Sequence, residues 1–269
     1  APDRARGGDR PQPGGGGRLR RVLRLPGLAA AALGGLVLGG LAAVGWRRGA
    51  LRWFSLLVAA ALGVRIRQEG SPPPPGSLVA ANHVGYLDIP VLGAVAPGRF
   101  LAKAEVARWP FLGLLARCGG TVFVERDRPR ASLAAVAALE RHQAAGETVL
   151  FFPEAGVASD ARTLGEFRPM VFEACVRTGR PAVPAALRYT RPPDPRVWGW
   201  IDEPSLWKHL WTRLLPAGPV EVTVRFGEPL YSAPGSDRKD LAARTRAAVL
   251  ALLEESPSRA SARGEAPAP

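Results

Sequence analysis

The sequence predicts an α/β domain with a mainly parallel central sheet flanked by helices, preceded by a hydrophobic helical membrane anchor. Two patterns carry the prediction. Between residues 78 and 255, short apolar runs alternate with helix-length stretches, the rhythm of strand–helix–strand units that build parallel sheets. Near the N-terminus, residues 27–46 contain no charge, and arginines flank them on both sides.

Residues 1–26 are rich in Arg, Asp, Pro and Gly, too polar to bury a core, and are expected to be a disordered basic N-terminus. The uncharged stretch that follows would reach ~30 Å as a helix, about the hydrocarbon thickness of a bilayer. Gly35 and Gly39 have the G-x-x-x-G spacing that lets helices approach closely. A cleaved signal peptide shares its basic start and the small-residue site Ala43-Val44-Gly45. The second apolar run, 53–64, favours a retained hairpin or interfacial anchor over 27–67, with Arg47, Arg48, Arg52, Arg65 and Arg67 at the headgroups. Residues 68–77, with four consecutive prolines, are expected to be a linker. The catalytic domain is then 78–255. Strands are expected at 78–81, 99–102, 121–124, 148–152, 182–187 and 220–226, and helices near 89–95, 109–118, 131–145, 167–178, 205–214 and 238–254. The polar tail 256–269 is expected to be disordered.

The net charge of +13 resembles a nucleic-acid signature until it is located. Residues 1–70 hold twelve arginines against Asp3, Asp9 and Glu69, so most of the excess lies beside the apolar anchor. A membrane surface is the expected partner, and nucleic acid is not. Cys118 and Cys175 cannot form a disulfide framework and are expected to be reduced core thiols. No cluster has metal-ligand spacing, so no metal is expected.

Three histidines are present. His142 is expected on a solvated helix face, and His209 in a packing role on an aromatic helix. His83 follows an apolar strand, where α/β proteins place ligands, and Asp88 lies five residues on. A short loop brings the carboxylate back onto the imidazole, fixing its tautomer and stabilising the imidazolium. The alternative for Asp88 is the N-cap of the next helix, with Pro90 in its first turn.

Four blocks follow one another: Asn82-His83 to Asp88 (an H-x-x-x-x-D motif), Gly120-x-x-Phe123-x-x-Arg126, Phe152-Pro153-Glu154, and Val183-Pro184-Ala185. In this order they resemble the blocks of the glycerolipid acyltransferase family, including its bacterial lyso-ornithine lipid branch. The resemblance implies His83 as general base and Asp88 as its orienting partner. It implies substrate-binding roles for Asn82, Gly120, Phe123, Arg126, Glu154, Gly156 and Pro184, with Arg126 and Glu154 on the acceptor, Gly120 and Phe123 shaping their block, and Pro184 near the acyl donor. The third block departs from the family's F-P-E-G-T pattern, since Glu154 runs into Ala155-Gly156 and the usual arginine is absent. Gly156 aligns only with a one-residue insertion.

The resemblance implies acyl transfer from acyl-CoA or acyl carrier protein, as co-substrate and with no cofactor, to the hydroxyl of a lysophospholipid, most simply 1-acyl-glycerol-3-phosphate. A lyso-ornithine lipid acceptor, or a non-catalytic lipid-binding role, is the alternative. Membrane lipids are the expected surroundings, in a bacterial inner membrane with the catalytic domain in the cytoplasm. There is no G-x-S-x-G elbow, so direct transfer is expected rather than a covalent acyl-enzyme.

Overall fold

The computed structural model describes residues 15–43, 47–96, 98–109, 112–125, 129–154, 163–200, 205–233, 235 and 237–255. Arg126, Gly156 and the departing stretch 155–160 lie outside them, as do the N-terminal residues 1–14 and the tail from 256.

Two helices come first, α1 (Gly15–Ala43) and α2 (Arg47–Leu62). The strands are β1 (Val64–Glu69), β2 (Leu78–Ala81), β3 (Arg99–Lys103), β4 (Val122–Val124), β5 (Val149–Phe151), β6 (Ala182–Arg191) and β7 (Val220–Phe226). Interleaved with them are α3 (Asp88–Val95), α4 (Leu112–Cys118), α5 (Pro129–Ala144), α6 (Glu173–Thr178), α7 (Leu206–His209, continued as a π-turn through Leu214) and α8 (Arg238–Glu254). The seven strands form one sheet in the order β1-β7-β6-β2-β5-β3-β4. β2 pairs parallel with β5 and β6, and β3 pairs parallel with β5 and β4. β7 runs antiparallel to β6, and β1 parallel to β7.

The sheet is covered on both faces, which is why its central strands read as unbroken apolar runs. Val79, Ala81, Leu150, Val183 and Leu187 pack with α2 and α3, while Leu78, Ala80, Val149 and Phe151 pack with α5, α6 and α8. Chain direction diverges at β2. The chain leaves β2 toward β3 on one side, while its neighbour β6 leads on to β7 on the other, so the boundary between β2 and β6 is a topological switch point. Its C-terminal end is where such sheets hold ligands.

One boundary differs from the sequence expectation. Residues 64–69, assigned there to the end of the anchor and the start of the linker, form β1, and 70–77 joins two strands of one sheet. The alternation Val64, Ile66 between Arg65 and Arg67 is a strand pattern, and only β7 makes it pay, by supplying an edge to pair with. The proline stretch is tied down at its end, where the buried Ser77 donates its hydroxyl to the Pro74 carbonyl.

Gly16–Leu41 is a helix long and apolar enough to cross a membrane. Yet α1 lies along the domain. Near its start the Arg24 guanidinium donates to the carbonyls of Leu214 (2.8 Å) and Leu215 (3.0 Å), capping the end of the α7 π-turn. Farther on, Gly35 and Gly39 seat against α2 and α4. A Cβ on Gly35 would stand 2.8 Å from the Phe54 ring, and one on Gly39 3.4 Å from Cys118. The opposite side of α1 is left bare, with Leu19, Val22, Leu23, Leu33, Leu36 and Val37 exposed.

Candidate active site

At the end of β2 the chain turns through Asn82–Leu87 into α3, and this turn is built around one carboxylate. Asp88 is fully buried. Its Oδ2 accepts from the backbone N–H groups of Val84 (2.7 Å) and Gly85 (2.9 Å) and from His83 Nδ1 (2.8 Å). Its Oδ1 accepts from the Tyr189 hydroxyl at 2.7 Å. Asp88 therefore does not cap α3, as one sequence reading allowed. It gathers the preceding loop, and no side-chain cap bond forms at this helix start.

An ionised carboxylate only accepts, so Nδ1 of His83 carries the proton and Nε2 is the basic atom. Nε2 has no hydrogen-bond partner among the described residues, and the side chain is 19% exposed. The ring is held flat by Phe152, stacked at 4.1 Å with 12° between planes, and Phe152 is backed by Phe100. The backbone N–H of His83 donates to Glu154 Oε1 (2.8 Å), joining the first and third blocks. Glu154 Oε2 accepts from Gly165 N–H (2.7 Å). Burial pushes the Glu154 carboxyl above its usual range, partly offset by these two N–H donors.

The loop is braced from outside the four blocks. Asn82 clamps β2 to β6, its Oδ1 accepting from Leu187 N–H (2.7 Å) and its Nδ2 donating to Leu187 C=O (3.1 Å). Trp200 N–H donates to Val84 C=O (2.9 Å), and Gly85 leaves no room for a side chain, since a Cβ would meet Trp198 C=O at 2.8 Å. Trp198 stacks on Tyr189 at 4.8 Å. His209, buried as expected, has Nε2 2.9 Å from Arg196 C=O, so that nitrogen donates and Nδ1 accepts the Tyr86 hydroxyl at 3.0 Å. Burial pushes both tyrosine hydroxyls far above their ordinary range, keeping them neutral donors.

The other blocks are spread more widely than their resemblance implied. Gly120 sits in the turn after α4 with φ +72°, at the N-terminal end of β4 and the opposite edge of the sheet from His83, where Arg99 donates to its carbonyl. Phe123 lies half-buried within β4. Pro184 is interior to β6, opposite Ala80 of β2, and its carbonyl accepts from Gly227 N–H. It shapes the sheet. His142 is also corrected: it is not merely solvated, since Nδ1 lies 2.7 Å from Glu147 Oε2, and Glu147 takes two bonds from Arg99. Tyr189, Tyr86 and Trp198 escaped sequence reasoning, because nothing in their local pattern separates them from core aromatics. Among the described residues no group of His, Cys, Asp and Glu is arranged to hold a metal.

The acyltransferase family model matches residues 63–188, the span that carries this dyad. The chain is 40% identical over 199 residues to a lyso-ornithine lipid O-acyltransferase of Rhodobacter capsulatus, covering 72% of this chain and 71% of that protein. It is 37% identical to a 1-acyl-sn-glycerol-3-phosphate acyltransferase of Neisseria meningitidis, over 50% of this chain and 52% of that one. The crystal structure of the 1-acyl-sn-glycerophosphate (LPA) acyltransferase PlsC from Thermotoga maritima shares the fold, with a TM-score of 0.63 at 22% identity, covering 90% of this chain and all of that one.

Proposed function

Because the chain belongs to the glycerolipid acyltransferase family, and is thus an O-acyltransferase of lysolipids, we propose that His83 is its general base and a lyso-ornithine lipid its acceptor. The observation that carries the mechanism is the 2.8 Å contact of His83 Nδ1 with buried Asp88, with Nε2 unpartnered among the described residues. As the acceptor oxygen attacks the thioester carbonyl, its proton passes to Nε2, and the imidazolium is stabilised by Asp88. Collapse of the tetrahedral intermediate breaks the C–S bond, and the imidazolium returns the proton to the departing thiolate. An ester and a free thiol result, with no covalent acyl-enzyme. Base catalysis of this kind contributes ~10²–10⁴ in rate. Acyl-CoA or acyl carrier protein is the donor.

The acceptor reading is supported by the greater extent and identity of the match to the lyso-ornithine lipid enzyme. The 1-acyl-glycerol-3-phosphate acceptor is the second reading, favoured by the Neisseria relative. The bare face of α1 supports membrane attachment, and the contacts of both halves of α1 with the domain support a helix lying in one leaflet. The reading is completed by a bacterial inner membrane with the domain on the cytoplasmic side, facing its acyl thioester donor. The test is purified chain in mixed micelles, given each donor with each lysolipid and products identified by mass spectrometry. Preferential acylation of the lyso-ornithine lipid, falling by about 10²-fold or more in His83→Ala with folding intact, is expected. Full activity in that variant rules out the base.

A further inference from the structure

A cavity of about 400 Å³ opens at the C-terminal edge of the sheet beside the catalytic loop, and the proton-transfer chemistry does not use it. Asn82 and Val84, the neighbours of His83, form one wall, so a molecule seated there lies against the backbone of the base. The volume suits a small polar group with a few placed contacts. Two residues of opposite charge, Glu154 and Arg188, are part of its lining. Each Glu154 oxygen accepts one backbone N–H and keeps a lone pair in reserve. Arg188 spends Nη1 on the Glu255 carbonyl (2.9 Å), leaving the rest of its donor fork for a ligand.

We propose that this cavity holds a zwitterionic amino-acid headgroup, Arg188 pairing with its carboxylate and Glu154 with its ammonium. The inference rests on the lyso-ornithine acceptor reading and extends it to named contacts. Ornithine has two amino groups and one carboxyl, so a lipid joined through one amine leaves a carboxylate and an ammonium. A phosphate dianion fits less well, because Arg188 is the one cation among the described lining residues and Glu154 repels it. The burial that disfavours a bare Glu154 carboxylate is offset by a neighbouring ammonium.

The experiment measures acceptor KM and kcat at saturating thioester donor for the wild-type chain, R188Q and R188K, with free L-ornithine as a competing probe. R188Q keeps a polar amide but loses the charge. It is expected to raise the lyso-ornithine KM about tenfold or more while kcat changes less than about threefold and the donor KM stays put, with R188K in between. L-Ornithine is expected to compete with the acceptor in the wild type and to compete poorly in R188Q. An R188Q acceptor KM within about twofold of wild type overturns the headgroup site, as does absence of competition by L-ornithine in the wild-type protein, a result that needs no variant to fold. Failure of the acceptor reading shows separately, as wild-type protein that acylates only 1-acyl-glycerol-3-phosphate, and it takes the headgroup site with it.

Discussion

Asp88 is shielded from solvent, so its four hydrogen bonds are what satisfies the buried carboxylate. Three converge on Oδ2 and come from its own loop, while the Tyr189 hydroxyl alone serves Oδ1. Without that hydroxyl Oδ1 is left buried and unpartnered, and the carboxylate loses the contact that holds it from the β6 side. In Tyr189→Phe kcat is therefore expected to fall several-fold with KM nearly unchanged. A wild-type kcat in that variant would mean that the tyrosine only fills space. His83 and Asp88 were legible in the sequence because five residues of local chain join them. Tyr189 was not, because it reaches Asp88 through the pairing of β6 with β2, 101 residues away.

At the scale of elements, the turn 82–88 and the segment 195–200 act as one piece. Gly85→Ala drives a methyl into the Trp198 carbonyl, and either the catalytic turn or the tryptophan segment must move. A loss of about 1–3 kcal/mol in urea unfolding is expected, together with a larger fall in kcat than in donor affinity. On the other edge of the sheet, Arg99 holds the Glu147 carboxyl down to about 2, with His142 adding to it. A depressed carboxyl stabilises the fold above its unfolded value near ~4.3, and that stability is lost as pH falls toward 2. Glu147→Gln is expected to cost about 1–2 kcal/mol at neutral pH. The difference from wild type should shrink between pH ~4.5 and 2; a constant gap across that range would refute the ion-pair account. Sequence periodicity placed the six expected strands of the domain and its helices. It missed β1, since its short alternation between arginines gains meaning only against β7.

For the whole molecule, the sheet, the α1–α2 pair and α7 are parts of one surface. Trp207 and Trp211 are exposed on α7, and Arg21 of α1 lies 5.7 Å over the Trp211 ring, so aromatic and basic groups border the bare face of α1. This is the composition of a membrane–water boundary. Replacing Leu33, Leu36 and Val37 together with serine changes the exposed face and spares Arg24, Gly35 and Gly39, which seat α1 on the domain. That triple variant is expected to keep its thermal unfolding transition and to shift from the vesicle pellet to the supernatant on sedimentation. Retention on vesicles would show that the face of α1 is not what binds them.

The order of apolar runs, the five-residue step from base to acid and the uncharged N-terminal stretch were enough to determine the fold class, the dyad and the family resemblance, because each is written in near neighbours. Only the tertiary structure decided that Asp88 gathers its loop instead of capping a helix, that Asn82 is a clamp, that Gly120 and Pro184 lie away from the base, and that α1 runs along the domain. Those outcomes depend on strand pairing and helix packing between segments far apart in the chain, and such contacts leave no periodicity or spacing for a local pattern to reveal.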